Sequence, residues 1–375
     1  MPALTTHELP RYVPPCPTNA DLDYADLPII DISKSSTPDA RAELARQVRD
    51  AMAIHGFFYV INHGYTPAQR QTARMVDIAD LAFAHVTPEE KKTHAGTPKL
   101  GGSYQGYKLR NYWVVIFVVS QAHIDGGVQD QIEHYNIHRD VTKRAHPKAL
   151  QPYIHEVAAF AKHNHLNVLH SILRLLALGL ELPEDTLVNC HGFSSVGETY
   201  VRFMKYYSRS EDEETKTKNV WLKGHTDFGT VTILYSQPVS GLQVFAPDGT
   251  WKWVKHIENA LIINAGDALE FLSGGFYRAT IHRVIQPPAD QRNLNRLGVF
   301  YFGLSDDDTK LVPYADSPVL KRVGIRKRFE DQDAPTMEIW RKSRTSAYGQ
   351  TQLKPGAEKG VEEEMINGVL VKHYN

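Results

Sequence analysis

The spacing of apolar residues changes along the chain, and each change marks an element. Residues 1 to 24 show little periodicity, and Pro10, Pro14, Pro15 and Pro17 predict an extended surface arm. Leu27-Pro28-Ile29-Ile30-Asp31-Ile32 reads as a short apolar strand. Ser36 to Pro38 supply a helix start, and Ala40, Leu44, Val48, Ala51 and Met52 recur with helical spacing on the way to His55. Gly56 to Gly64 encloses aromatic and β-branched residues between two glycines, the pattern of a buried strand. A second helix is predicted from Pro67 to Phe83. Thr87-Pro88-Glu89-Glu90 starts a short third one, with a capping threonine, proline in the first turn and acids behind it. Between Lys99 and Asp140 the pattern is irregular, apart from Asp130 to Ile137, which alternates as a strand does. Apolar positions from Ile154 to Leu176 then trace one long helix over about Lys148 to Leu180, with Leu166, Leu169 and Leu173 in its core-facing stripe.

After Gly192 the periodicity becomes strand-like. Short strands are predicted at Tyr200–Tyr207, Val231–Tyr235, Leu242–Phe245, Trp251–Val254, Ala260–Asn264, Leu269–Leu272, His282–Gln286 and Arg296–Phe302, with turn signals such as Pro247-Asp248-Gly249 between them. Strands at that spacing suit a jelly roll, which closes most of its edges by pairing two sheets. The expected fold class is therefore mainly β with flanking helices, an α+β chain with a double-stranded β-helix core and an N-terminal helical and strand module. Along the chain this gives an arm (1–24), the N-terminal module (25–145), a supporting helix (146–194), the catalytic core (195–310) and a C-terminal helix near Met337 to Ala347 with a tail (311–375). The longest apolar run, Val114 to Val119, reads as a buried strand or a flap; it is far too short to span a bilayer.

Composition narrows the function classes. The chain has 375 residues, 42% of them hydrophobic, enough to bury a large core without staples. A formal charge of −1 gives neither the basic footprint of a nucleic-acid binder nor an attraction to anionic membranes, so a small-molecule partner is expected. Cys16 and Cys190 are too few for a disulfide scaffold, and the N-terminus has no leader-like apolar run; a cytoplasmic protein is the reading.

The chemistry concentrates in Gly224-His225-Thr226-Asp227-Phe228-Gly229 and Ile281-His282-Arg283-Val284. On a strand, His225 and Asp227 leave by the same face, and His282 opens a later strand. Two imidazoles and a carboxylate leave about half of an octahedral ion's positions open, as non-haem Fe(II) oxygenases require for substrate and O₂. Any single histidine is by default structural; the agreement of several features argues for a metal centre. Arg296 then heads Arg296-Leu297-Gly298-Val299-Phe300-Tyr301-Phe302, a guanidinium on an otherwise apolar strand. Burying it without an anion is costly, so it awaits a dicarboxylic cosubstrate, pairs with a protein carboxylate or lies at the barrel rim.

These residues, with Gly56 to Gly64, Gly241-Leu242-Gln243-Val244 and Asn264-Ala265-Gly266-Asp267, resemble the isopenicillin N synthase-like branch of the Fe(II)/2-oxoglutarate-dependent dioxygenases over about residues 25 to 310. The resemblance implies iron held by His225, Asp227 and His282, and 2-oxoglutarate held at its far end by Arg296. It also implies oxidation of a small organic molecule, a specialised metabolite, by O₂, with release of succinate and CO₂. Hydroxylation is the expected outcome, with desaturation, demethylation or rearrangement also open to such enzymes. Two departures stand out: Gly298 replaces the family's serine, and Lys205-Tyr206-Tyr207 keeps only a tyrosine of the usual Asn-x-Tyr, so Tyr207 is the expected cosubstrate contact. Tyr107, Asn111, Tyr112, Phe228, Phe276 and Tyr277 are candidate substrate contacts, each weighed against a place in the core. A cosubstrate-independent iron oxidase of the same fold and a non-catalytic jelly-roll binding protein are the alternatives.

Overall fold

The computed structural model describes residues 9–96, 103–111, 127–347, 353–357 and 360–374. In chain order the strands are β1 (Ile29–Asp31), β2 (Phe57–Ile61), β3 (Gly106–Lys108), β4 (Ile132–His138), β5 (Tyr200–Tyr206), β6 (Val220–His225), β7 (Val231–Tyr235), β8 (Leu242–Phe245), β9 (Trp251–Trp253), β10 (Leu261–Ala265), β11 (His282–Ile285), β12 (Arg296–Gly303), β13 (Lys354–Pro355), β14 (Val361–Ile366) and β15 (Val369–Tyr374). The α-helices are α1 (Pro38–Ile54), α2 (Gln71–Ala84), α3 (Pro88–Thr93), α4 (Ile154–His163), α5 (His170–Gly179), α6 (Glu211–Lys216), α7 (Asp267–Leu272), α8 (Pro318–Val323) and α9 (Met337–Ala347).

Two sheets face each other. One has 8 strands in the order β1-β2-β10-β7-β12-β5-β4-β3, and the other has 7 in the order β13-β14-β15-β6-β11-β8-β9. The pairing is antiparallel except where β1 joins β2, and it makes the predicted jelly roll. Strands of the N-terminal segment are built into the larger sheet, β2 against β10 and β4 against β5. Helices cover that sheet's outer face. Leu44, Val48, Ala51 and Met52 of α1 are buried as the periodicity predicts, and Lys205 of β5 reaches out to Asp80 of α2 at 2.9 Å. Since side chains alternate along a strand, the residues next to Lys205 point the other way, into the space between the sheets.

Three expectations need correction. Leu269–Leu272 is not a strand: α7 starts at Asp267, with Asp267 and Glu270 in its first turn, and a short, mostly apolar stretch fits either element by pattern alone. Val220–His225, which the spacing did not mark, is a strand, while Asp227 lies just beyond its end. The long helix is interrupted by a π segment, Asn164–Leu169. The wider turn shifts the following residues around the axis, so Leu169 and Leu173 are fully buried but Leu166 is exposed.

The C-terminal tail also has a place. Trp340 of α9 is fully buried against Phe271, and the β14–β15 hairpin meets β6 where Tyr374 pairs with Gly224. A Cβ on Gly224 would come within 2.7 Å of the Tyr374 Cβ, so glycine is what lets the hairpin dock there. Among the described residues no helix is long and apolar enough to cross a membrane. Val114 to Gln121 lies outside the described residues.

Candidate metal centre and adjoining pockets

His225 ends β6, and His282 opens β11 directly opposite it in the antiparallel pairing. The register slips immediately after His282, the kind of irregularity that re-aims a side chain at a strand end. Asp227 follows in the loop beyond β6. The ligand atoms of His225, Asp227 and His282 all lie within 4.8 Å of one another. Nε2 of His225 is 3.9 Å from Oδ1 of Asp227, and Nε2 of His282 is 3.9 Å from Oδ2.

The surroundings prepare these groups for a cation. Nδ1 of His225 lies 2.8 Å from the Lys223 carbonyl and Nδ1 of His282 lies 3.1 Å from the Thr280 carbonyl. Each carbonyl accepts a hydrogen bond from Nδ1–H, which turns the Nε2 lone pair of both rings toward the centre. Burial, then the neighbouring His282, pushes His225 down to about 3. Burial alone would raise the carboxyl of Asp227, but the two imidazoles, Asn264 and Thr232 outweigh it and hold Asp227 below its ordinary value. Oδ2 of Asp227 accepts from Thr232 Oγ1 at 2.7 Å and from Asn264 Nδ2 at 2.9 Å, which leaves Oδ1 for the ion. Two neutral nitrogens and an ionised oxygen, with open positions beside them, suit Fe(II).

Arg296 is 4% exposed on the inner face of β12. Its Nε donates to the Val239 carbonyl at 3.3 Å, and its guanidinium carbon is 5.6 Å from the centroid of Tyr206. Among the described residues no carboxylate pairs with it, and burial lowers its pKa. A small cavity lined by Ser236, Gly241, Leu242 and His256 opens onto it.

The strand register decides which tyrosine is near. Tyr206 pairs directly with Arg296 across β5 and β12. Tyr207 faces the other way: its hydroxyl donates to Glu133 at 2.8 Å, and the guanidinium of Arg110 covers its ring. The structure therefore does not bring Tyr207 to the site; Tyr206 stands there instead, one residue earlier. Gly298 has a steric reason, because a Cβ there would lie 2.6 Å from the Phe300 ring, which occupies the space a serine would need.

A second, larger pocket of about 800 Å³, counted out to solvent, adjoins His225 and Asp227. Of the five candidate substrate contacts among the described residues, only Phe228 lines it. Tyr107 is buried, stacks on Tyr135 and donates to the Ala82 carbonyl. Tyr277 is fully buried, packs against Phe276 and donates to the Leu176 carbonyl. Asn111 sits in left-handed backbone at the edge of the described segment, and Tyr112 lies outside the described residues. The wall instead includes Tyr104, Tyr200, Arg202, Met204 and Phe302. Tyr200, Arg202, Met204 and Tyr206 share one face of β5, an alternation the sequence already carries. Arg344, Thr345, Glu364 and His373 complete the wall from the C-terminal segment, and no local signal marks them.

Comparison with known proteins agrees with this geometry. Residues 186–303 match the model of the 2OG-Fe(II) oxygenase superfamily, and residues 27–155 match the N-terminal model described as non-haem dioxygenase in morphine synthesis. The chain is 28% identical over 275 residues to jasmonate-induced oxygenase 3 of Arabidopsis thaliana, covering 71% of this chain and 69% of that one. It is 30% identical over 260 residues to flavonol synthase/flavanone 3-hydroxylase of Petunia hybrida, covering 68% of each. Among solved structures, full-length Neurospora crassa T7H in complex with alpha-KG and thymine shares the fold, with a TM-score of 0.71 at 22% identity over 88% of this chain and 100% of that one. The chain is also 29% identical over 305 residues to the 2-oxoglutarate-Fe(II) type oxidoreductase hxnY of Emericella nidulans, covering 76% of this chain and 82% of that one, which disfavours the cosubstrate-free oxidase and the non-catalytic reading. The chain accordingly belongs to the 2OG-Fe(II) oxygenase superfamily and is a dioxygenase that uses iron and 2-oxoglutarate.

Proposed function

We propose that His225, Asp227 and His282 bind Fe(II), that Arg296 with Tyr206 receives the far carboxylate of 2-oxoglutarate, and that the pocket beside Phe228 holds a small organic substrate. One observation carries this reading: three converging donors lie in the same β-roll as a buried guanidinium that no described carboxylate neutralises. The relatives' printed names, among them flavonol synthase/flavanone 3-hydroxylase, favour a specialised metabolite as substrate.

Iron held by His225, Asp227 and His282 would supply O₂ activation coupled to decarboxylation of 2-oxoglutarate, one oxygen atom going to succinate and the other to a substrate C–H bond, with CO₂ released. The protein's share is placement. The Lys223 and Thr280 carbonyls accept from Nδ1–H and so leave both Nε2 lone pairs for the ion these residues would hold. Thr232 and Asn264 hold the Asp227 carboxylate ionised and fixed. The guanidinium fork of Arg296 grips a carboxylate through two parallel hydrogen bonds and so sets the keto acid end in register with the ion. The pocket then presents one C–H bond to the oxidant, and that position decides between hydroxylation and its alternatives.

The test is anaerobic Fe(II) loading, followed by 2-oxoglutarate and O₂, with succinate measured over a panel of metabolites. The wild type should bind about one iron per chain and consume 2-oxoglutarate, while His225→Ala and Asp227→Ala should lose iron and keep their circular dichroism. Wild-type iron content in either variant would refute the ligand assignment.

A further inference from the structure

The pocket wall contains a cation that the metal centre does not use. Arg344 reaches into the site from α9, outside the residues matched by the superfamily model. Its side chain is 9% exposed, and its Nε is 3.7 Å from Oδ2 of Asp267, beyond hydrogen-bond distance. Nη2 donates to the Thr226 carbonyl at 3.0 Å, on the residue between the two ligands His225 and Asp227. Nη1 is buried and has no acceptor among the described residues. An N–H left in that state costs about 1–3 kcal/mol, a cost removed by any ligand that presents an anionic oxygen.

The rest of the wall describes such a ligand. Tyr104, Tyr200, Phe228 and Phe302 offer ring faces and edges. Arg202 adds positive charge to the same wall, its guanidinium held 4.6 Å from the Phe302 centroid while its Nε donates to Asn136. Lys223 is drawn away toward Glu362 at 2.6 Å, and Glu364 is engaged with His373 at 2.9 Å.

We infer that the substrate is a ring-bearing carboxylic acid whose carboxylate accepts a hydrogen bond from Nη1 of Arg344, making Arg344 a specificity-determining residue supplied by the C-terminal segment. This rests on the metal-centre reading above. With the carboxylate anchored next to the Thr226 carbonyl, the ring is left among the aromatic residues and its C–H bonds lie beside His225 and Asp227.

The test uses binding without turnover. Protein loaded with Mn(II) and 2-oxoglutarate is titrated calorimetrically with phenylacetate, trans-cinnamate and 1-naphthoate, each against its primary amide. At least one acid should bind about 10-fold more tightly than its amide. That preference should shrink to about 2-fold in Arg344→Gln and be partly kept in Arg344→Lys, which retains the charge without the fork. Equal binding of every acid and amide, absence of binding by all three acids, or an undiminished preference in Arg344→Gln overturns the inference. Should Arg344→Gln fail to fold, Arg344→Lys decides: an undiminished acid preference in it overturns the assignment of Arg344, and a reduced one supports it. The two readings fail separately: a wild type that never consumes 2-oxoglutarate with Fe(II) and O₂ sinks the metal-centre assignment, whereas consumption without acid preference sinks only the assignment of Arg344.

Discussion

Arg296 and Gly298 lie on the same face of β12, and their different neighbours set what each contributes. Arg296 is buried with a carbonyl and an aromatic ring as its described partners, and in the function proposed above a ligand carboxylate would compensate its charge. Arg296→Ala should weaken 2-oxoglutarate binding about 100-fold, as loss of a bidentate charge-assisted pair does, while iron content stays within about 2-fold. Anaerobic titration of the cosubstrate alongside metal analysis separates the two effects, and equal losses of both would mean that Arg296 is a structural residue. Gly298 is a packing matter. Gly298→Ser should cost about 1–3 kcal/mol in urea denaturation, the usual range for overpacking, because its Cβ would meet the Phe300 ring at 2.6 Å. In a Phe300→Ala background, destabilised by its own cavity, adding Gly298→Ser should cost little more. If Gly298→Ser is neutral, the steric account fails.

At the scale of elements, the π segment in the supporting helix is held by side-chain bonds. Asn164 donates to the Phe160 carbonyl at 2.9 Å and accepts from the Tyr235 hydroxyl at 3.1 Å, both buried. His165 bonds to Tyr301 and to the His191 carbonyl. These contacts tie the helix to β7 and β12, the strands that flank the interior of the larger sheet. Asn164→Ala should therefore destabilise by about 1–3 kcal/mol by stranding the Tyr235 hydroxyl. Tyr235→Phe should cost less, and the double variant less than the sum; additive costs in a denaturant series would show that the two side chains act independently. Helical periodicity located this helix and its buried positions Leu169 and Leu173. It misplaced Leu166, since a one-residue insertion in a turn answers to partners on distant strands and leaves no trace in local spacing. The misreading of α7 has a related cause: a four-residue stretch with three apolar members carries no period of its own.

Across the whole molecule, buried histidines outside the metal centre link stability to acidity. Burial pushes His165 down to about 4 and His191 down to about 3, against about 6.5 in an unfolded chain. Both stay neutral when folded, so the unfolded state binds protons first as the pH falls. The stability present above about pH 6.5 is then lost on acidification, by up to about 1.4 kcal/mol per pH unit for each residue, until the folded values are reached. Urea midpoints at pH 7.5 and 5.5 should differ accordingly in apo protein, and His165→Asn should reduce the difference by the share of one buried ring, since burial holds His134, His225 and others down in the same way. A midpoint independent of pH in that window would contradict the burial of these rings as neutral groups.

What local pattern determined was most of the elements, the jelly roll, and the residues proposed to carry the chemistry, because an alternating strand and a His-x-Asp pair are written within a few consecutive positions. His225, Asp227, His282 and Arg296 were legible in that way. Only tertiary structure decided which face each strand turns inward, and a one-residue difference in that choice exchanged Tyr207 for Tyr206 beside Arg296. Only tertiary structure, too, brought Arg344, Glu364 and His373 from the far end of the chain to the pocket wall. The physical reason is that local sequence sets the conformation a segment prefers, whereas the neighbours of a buried side chain are chosen by the packing of whole sheets and helices, whose partners lie far apart along the chain.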